Sequence, residues 1–249
     1  VIRPMNKMAV TVDYYNINIK DAIFRAPLNV VLDLCYNQFQ DLNNFYCQSV
    51  DRLPDGTIGS PGGVSALFAN IGSIKTDGID VGVSYSMDIS SILGEESSIS
   101  LASSVNWLNK FDRNPVVDVP GLANRCAGAF GLTCGEPLPE WKGTARATLE
   151  ISDFTASLRY RYIGEVTDDR VTRGLLSASD LAVPVINPEH YLDLSLAWDL
   201  EQFTLFGGVI NLTNNKQTLI GSSQEQLNTF PSTYDPLGIR FFAGATVRF

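Results

Sequence analysis

Charged residues and histidine are both scarce in this sequence. Asp, Glu, Lys and Arg make up 18% of the 249 residues, against about 25% in an average soluble domain. The single histidine, His190, leaves little room for a His-rich metal site, and we interpret it as a residue at the rim of a strand rather than as a catalytic base. The nucleophile motif GxSxG, the zinc motif HExxH and the Walker A loop are all missing. We therefore expect a protein that is not an enzyme and that has no cofactor.

Long apolar runs are also lacking. A transmembrane helix is predicted from about 18 or more consecutive apolar residues, and no stretch of this chain approaches that length. The first residues lack the apolar core of a signal peptide, and the chain does not begin with methionine. We expect it to be a fragment of a longer protein.

Basic residues are also fewer than acidic residues. The net charge of -9 argues against a nucleic acid partner, because phosphate binding depends on clustered Lys and Arg. Hydrophobic residues still make up 45% of the chain and aromatic residues 10%, a composition that excludes a disordered protein.

What the sequence does contain is a period of two, the period of a β-strand. Apolar and polar residues alternate in the segments 79–88, 99–107, 141–151, 153–164, 191–200, 203–210 and 240–249, and a further strand is predicted at 8–20. In the alternating segments the apolar faces hold no charged residue. The opposite faces carry Asp80, Asp88, Lys142, Arg146, Glu150, Arg159, Arg161, Asp193, Asp199, Arg240 and Arg248. The pattern predicts a sheet with one uniformly apolar side.

The predicted connections alternate between short and long. The short ones are 89–98, 152–153 and 200–202, and the long ones are 21–73, 110–140, 165–189 and 211–239. One end of the sheet should therefore carry turns and the other end large loops, as in bacterial outer-membrane barrels. Strands of about ten residues have the length that crosses a bilayer when tilted.

Aromatic residues on the apolar faces fall at two levels, near the turns and near the loops. The turn-end set is Tyr85, Phe154, Trp198, Phe203 and Phe249, and the loop-end set is Trp107, Trp141, Tyr160, Tyr162 and Phe241. Two such levels match the lipid-facing aromatic girdles of a membrane barrel. We therefore predict an all-β fold, an antiparallel transmembrane β-barrel portion of about eight strands with short periplasmic turns and long extracellular loops.

The charged face contains a pairing of like charges. A two-residue turn at 152–153 makes its flanking strands antiparallel neighbours, which places Arg146 opposite Arg159 and Glu150 opposite Thr155. Two arginines directly opposite each other are unfavourable, so they need an acidic partner. Asp193 or Asp199 of this chain could supply it, as could a group outside the chain.

The four cysteines occur as two pairs, and each pair lies in one long loop. Local disulfides, Cys35 with Cys47 and Cys126 with Cys134, are the simplest of the three possible connectivities, and they indicate an oxidising compartment. A metal site is the competing interpretation, although neither pair has CxxC spacing.

Several short motifs, in this order and at this spacing, resemble the C-terminal part of TonB-dependent outer-membrane receptors. They are VDYYNI at 12–17 with DAI at 21–23, KTDGID at 75–80, YLDL at 191–194, VINL at 209–212, YDPLG at 234–238, FF at 241–242 and VRF at 247–249. The resemblance covers essentially residues 1–249 and implies the last eight strands of a barrel of about 22 strands that an N-terminal domain plugs.

The resemblance also implies location, partners and function. The protein would lie in the outer membrane of a Gram-negative bacterium, in contact with lipid, and would take up a scarce small molecule such as a ferric siderophore or a saccharide. Its missing N-terminal region would contact the TonB complex, and the strand ending at Phe249 would be read by the barrel-assembly machinery. The charged face would line the lumen and contact the plug, which we favour as the source of the acidic partner for the arginines.

Two rival interpretations remain at this stage. One is a complete eight-stranded outer-membrane barrel with a structural or adhesive role, and the other is a soluble β-barrel or sandwich that binds a small ligand. The substrate is open too, because loop aromatics could either stack on a ligand or pack within the loops. The candidates are Phe39, Phe45, Tyr46, Phe130 and Phe230.

Overall fold

The computed structural model describes residues 1–59, 62–93, 96–221 and 228–248. Fifteen strands are found in these ranges: β1 Met8–Arg25, β2 Val50–Asp51, β3 Gly63–Val64, β4 Phe68–Asp88, β5 Ser97–Asn114, β6 Asn124–Arg125, β7 Ala129–Gly131, β8 Gly135–Leu138, β9 Trp141–Ile151, β10 Phe154–Ile163, β11 Val166–Asp168, β12 Val185–Ile186, β13 Glu189–Leu200, β14 Phe203–Ile210 and β15 Arg240–Val247. The helices are α1 Leu28–Asp33, α2 Phe45–Gln48, α3 Ser90–Leu93 and α4 Asp169–Thr172, with a π-helix at Leu34–Phe39 and 3₁₀ turns at Pro120–Leu122 and Ala178–Asp180. Within the described ranges, none of the helices is long and apolar enough to cross a membrane.

The main sheet has the order β1-β4-β5-β9-β10-β13-β14-β15, with β6 paired to β5 beside this path. These eight long strands are the eight predicted ones, and consecutive strands of the prediction are neighbours in the sheet. The ladders from β5 to β15 are antiparallel. Among the described residues no ladder joins β1 to β15, so the sheet is open, and the all-β antiparallel prediction is confirmed. The rival prediction of a closed eight-stranded barrel would need that missing ladder.

Three strands are longer than predicted, and each extends at its loop end. β1 continues to Arg25, β4 begins at Phe68 and β5 continues to Asn114. The alternation of apolar and polar residues fades in these extensions, so the periodicity that identifies a strand in the sequence was absent there.

The register places the predicted apolar residues opposite one another across successive ladders. Leu101 on β5 lies opposite Ala147 on β9, which lies opposite Leu158 on β10. Leu158 in turn lies opposite Leu194 on β13, which lies opposite Val209 on β14. Since directly opposed residues share a face, the alternating residues form one continuous apolar face. Its contact with lipid stays a prediction.

The aromatic residues of this face pair at the two predicted ends. Phe154 lies opposite Trp198 next to the short turns. Trp107 lies opposite Trp141 at the loop end, where the rings stack with centroids 5.9 Å apart. Phe249 lies outside the described residues.

Glycines let aromatic rings pass close to the backbone on the other face. Gly208 lies directly opposite Phe242, and Phe206 directly opposite Gly244. A Cβ atom at Gly208 would meet the carbonyl oxygen of Leu194 and come within 2.7 Å of the Phe242 ring. Gly208 therefore admits the neighbouring strand's phenylalanine, which is the close approach that a glycine inside a strand indicates.

The chain divides into two compact units. One comprises residues 1–16, 76–111 and 125–249, and the other comprises 17–75 and 112–124. The second unit has its own apolar core, in which Leu34, Tyr46 and Val116 are buried together with the Cys35–Cys47 pair. In the first unit, Phe130, Val166, Ile186 and Phe230 form a loop core beside the small sheet β12-β11-β7-β8.

Candidate functional site

The charged face of β9, β10 and β13 brings three of the predicted arginines together. Arg146 lies opposite Arg159, and Glu150 lies opposite Thr155, as the turn geometry predicts. On the other side of β10, Arg159 lies directly opposite Asp193. The like-charged pair therefore has an acidic residue as its next neighbour across the sheet.

Asp193 is the centre of this cluster. Its Oδ2 accepts hydrogen bonds from Arg159 Nε at 2.8 Å and from Arg161 Nε at 3.1 Å, and Arg161 Nη2 donates to Oδ1 at 3.2 Å. The residue is only 6% exposed, which is possible for a carboxylate because two guanidinium groups surround it. The prediction that favoured an acidic plug as the partner of these arginines is wrong for Arg159 and Arg161, since Asp193 already satisfies them.

Asp193 also holds the start of the last long loop. Asn211, directly after β14, has a left-handed backbone with φ of 56°, and its N–H donates to Asp193 Oδ1 at 2.9 Å. The Asn211 side chain exchanges two hydrogen bonds of 2.8 Å with the backbone of Asn215. Asn215 donates in turn to the Glu189 carboxylate at the first residue of β13. Asparagine tolerates the left-handed conformation better than most residues, so this turn suits its sequence.

The end of the same loop is tied to the same cluster. Arg161 lies over the ring of Tyr191, with its Cζ 4.8 Å from the ring centroid, a favourable cation–π arrangement. The Tyr191 hydroxyl accepts a hydrogen bond of 3.3 Å from the backbone N–H of Asp235. The Asp235 carboxylate pairs with Arg240 at 3.1 Å, where β15 begins. Both ends of the loop are thus fixed to one charged network.

This network consists largely of the motif residues on which the sequence resemblance rests. Tyr191 and Asp193 come from YLDL, Asn211 from VINL and Asp235 from YDPLG. The order and spacing of these motifs are recognisable in the sequence, but their contacts with one another are not. The signal that could have shown them is the polar residue that each motif places next to or inside an apolar strand.

The other predicted residues of the charged face lie outside the Asp193 network. Asp199 and Arg248 form an exposed pair at 3.4 Å, Asp80 accepts a hydrogen bond from Asn106 at 2.7 Å, and Glu150 accepts one from Ser98 at 3.1 Å. Among the described residues Arg146 has no acidic partner. It borders a cavity of about 200 Å³ whose lining also includes Arg159, Asp193, Ser157, Ser195 and Phe242. Because the Asp193 carboxylate in this lining already pairs with Arg159, Arg146 is the cationic group of the cavity that could meet an anion.

The disulfides of the structure are the two local pairs. Cys35 is bonded to Cys47 and Cys126 to Cys134, and no free cysteine is found in the described part of the chain. A disulfide that closes a loop as short as these lowers the conformational entropy of the unfolded chain. This stabilises the folded state by about 2–3 kcal/mol. A buried carboxylate supports the second pair, since Asp169 accepts hydrogen bonds from the N–H groups of Thr133 and Cys134 at 2.6 and 2.8 Å.

The loop aromatics divide into buried and exposed residues. Phe130, Phe230 and Tyr46 are at most 3% exposed and belong to the loop cores, whereas Phe39 and Phe45 are each 40% exposed. Burial, helped by the neighbouring carboxylate of Asp118, raises the pKa of Tyr46 to about 12. Only Phe39 and Phe45 of this set are therefore open to a ligand, and the other three pack the loops.

No group of three or more His, Cys, Asp or Glu that could hold a metal ion occurs within the described residues. His190 lies at the loop end of β13, where its Nδ1 and the Tyr160 hydroxyl share a hydrogen bond of 2.6 Å and its ring lies 5.2 Å from that of Tyr162. Its contacts are those of a residue at the aromatic rim.

Comparisons with known proteins agree with this fold. The family model described as TonB dependent receptor-like, beta-barrel matches residues 3–212, whereas a search of curated proteins finds no match. Among solved structures, the FrpB iron transporter from Neisseria meningitidis (F5-1 variant) is similar with a TM-score of 0.52 and 16% identity, over 98% of this chain and 30% of that one. The copper transporter OprC is similar with a TM-score of 0.50 and 14% identity, over 97% of this chain and 29% of that one.

At this level of identity the solved structures show the fold alone, and the chain spans less than a third of their length. The family match is broader evidence, because it covers most of the chain, including seven of the eight long strands in full and the charged cluster around Asp193. The chain belongs to the TonB-dependent receptor family, within its β-barrel.

Proposed function

We propose that this chain is the C-terminal part of an outer-membrane receptor that takes up a scarce small molecule with energy from the TonB complex. The observation that carries the proposal is the family match over residues 3–212. The family match also suggests a role for each face of the sheet. The apolar face would contact lipid, and the charged face would line the lumen. The missing N-terminal region would supply the plug and the contact with TonB.

The Asp193 network supports a transport role for the loops. An extracellular loop that helps to bind a substrate must be held in place at its ends while its middle stays free to vary. Both ends of the loop 211–239 are fixed to Asp193, Tyr191 and Arg240. Arg146, which borders the cavity, would then meet either the plug or a passing anionic substrate.

A metal complex such as a ferric siderophore is the substrate class that we favour. The two similar structures named above are an iron transporter and a copper transporter. A saccharide is the alternative, and the exposed rings of Phe39 and Phe45 could stack on either substrate. The C-terminal strand, which includes Phe249, would serve as the signal for the barrel-assembly machinery.

The experiment is a comparison of uptake by the full-length receptor in cells with and without TonB. We expect the receptor gene to be induced by iron limitation, and radiolabelled ferric siderophore to accumulate only when both receptor and TonB are present. Induction by a glycan, with TonB-dependent uptake of that glycan, would replace the siderophore by a saccharide. Uptake that does not depend on TonB would contradict the proposed function.

A further inference from the structure

Small side chains form the floor of a trough on the apolar face of the sheet. Gly143 and Ala145 follow each other on the same face of β9, and Ser103 of β5 lies directly opposite Ala145. A cavity of about 390 Å³ lies over these residues, and its walls include Trp141, Tyr160 and Tyr162. The combination of a floor of small residues and walls of large rings produces a depression in this face of the sheet.

The depression continues toward the middle of the strands. A second cavity of about 400 Å³ shares Ser103, Ala145 and Tyr160 with the first and extends past Ala147 to Leu101 and Leu158. Because the two cavities share three residues, they form one trough across β5, β9 and β10.

The lining of the trough differs between its two ends. At the loop end the Tyr160 hydroxyl is hydrogen bonded to His190, and the Trp107 and Trp141 rings stack on each other. At the other end Leu101 and Leu158 are 45% and 41% exposed. In water, such exposure is unfavourable for leucine side chains that no other group covers. The trough therefore passes from an amphipathic aromatic end to an aliphatic end, the same order as the interface and the interior of a lipid leaflet.

An extended peptide does not suit this trough. The floor lies in the interior of the sheet, where β9 pairs on both sides with β5 and β10, so no backbone edge is open to a further strand. A flexible hydrocarbon chain needs no hydrogen bonds and can follow a narrow apolar channel. The trough is also continuous with the face that we assign to lipid.

We propose that this trough binds one acyl chain of an outer-leaflet membrane lipid. The chain end lies against Leu101 and Leu158, and the headgroup lies beyond Trp141 and Tyr162 at the loop end. This inference rests on the proposed contact of the apolar face with lipid, but not on the identity of the transported substrate.

The test is native mass spectrometry of the full-length receptor, delipidated and titrated in detergent micelles with lipid A, the acylated anchor of the outer leaflet of a Gram-negative outer membrane. We expect the wild type to retain one lipid, and Ala145→Leu to weaken retention about tenfold, because losing the burial of roughly two methylene groups has an effect of this size. The matched control is Ala156→Leu, the same change on the same face, where Ala156 lies opposite Leu149 and Leu196 outside the trough. It should retain lipid like the wild type.

A second variant covers the case in which Ala145→Leu fails to fold, as judged by its mobility in an unheated gel. Ser103→Leu fills the trough from β5 and should give the same loss of lipid. Equal retention in the trough variants and the Ala156→Leu control would overturn the proposal, and so would a wild type that retains no lipid. The uptake experiment with and without TonB is unaffected by either result, so the two proposals can fail separately.

Discussion

Leu194→Arg is expected to destabilise the folded receptor in a lipid bilayer by about 2–4 kcal/mol, the cost of a cationic side chain near the midplane on the lipid face of a barrel. Leu194 lies in the middle of β13, between Leu158 on β10 and Val209 on β14. All three are on the apolar face, so an arginine there has no lumen to enter. Urea titrations of the full-length receptor in phospholipid vesicles would measure the change in the free energy of unfolding.

The control for Leu194→Arg is Thr155→Arg on the charged face. Thr155 lies opposite Glu150, so the new guanidinium group gains an acidic neighbour. Ser195 is closer to Leu194 in sequence, but it borders the cavity with Arg146 and Arg159, where another arginine would add repulsion. We expect Thr155→Arg to cost less than about 1 kcal/mol, as is usual for a change at a solvated charge. Equal costs for the two variants would show that the faces are assigned wrongly.

Asp193→Ala is expected to lower the free energy of unfolding by about 3 kcal/mol, the lower end of the range for removing one partner of a buried ion pair. The lower end applies because water reaches the arginine side chains, which are 40% and 27% exposed for Arg159 and Arg161. The variant would leave three arginines together on one face and would release the N–H of Asn211 from its acceptor. Urea titration should show the loss, and limited proteolysis should show faster cleavage in the loop 211–239.

Asp199→Ala is the matched control, since Asp199 lies on the same strand and the same face. Its pair with Arg248 has side chains that are 52% and 67% exposed, and such a pair is worth about 0–1 kcal/mol. If both alanine variants cost the same and the loop is cleaved at the wild-type rate, then Asp193 does not act as the anchor of the loop.

The strands and their pairing could be predicted from the sequence because both depend on local information. Period two identifies each strand, and the two-residue turn at 152–153 sets the register that places Arg146 opposite Arg159. The two disulfides were predictable for a similar reason, since each joins cysteines that are close in sequence.

The network around Asp193 could not be predicted in the same way. Arg159 and Asp193 are separated by 34 residues, and the long loop between their strands sets no register. Both residues belong to the face that was recognised as charged, but which arginine meets which carboxylate depends on that register. Asp193, Asp199 and the plug were therefore all possible partners from the sequence, and the plug was favoured, whereas Asp193 lies directly opposite Arg159 in the sheet.

The roles of the loop residues were also beyond the sequence pattern. Phe130 and Phe230 are buried against each other, with ring centroids 5.9 Å apart, although they lie in different loops. Nothing in the local composition distinguishes them from Phe39 and Phe45, which remain exposed. Burial within a loop depends on contacts between segments that are distant in sequence. The alternation that identifies a strand is a local pattern, so it does not predict such contacts.

The most direct test of the account is a nitroxide scan along β13 of the full-length receptor in lipid vesicles, with one label at a time at residues 192 and 194–199. We expect labels at 192, 194, 196 and 198 to be relaxed mainly by oxygen, which concentrates in lipid. Labels at 195, 197 and 199 should be relaxed mainly by a water-soluble nickel chelate. Successive side chains of β13 would then lie alternately in lipid and in the lumen, as in an outer-membrane receptor. Equal access of the chelate to both sets would contradict the assignment of the apolar face to the membrane.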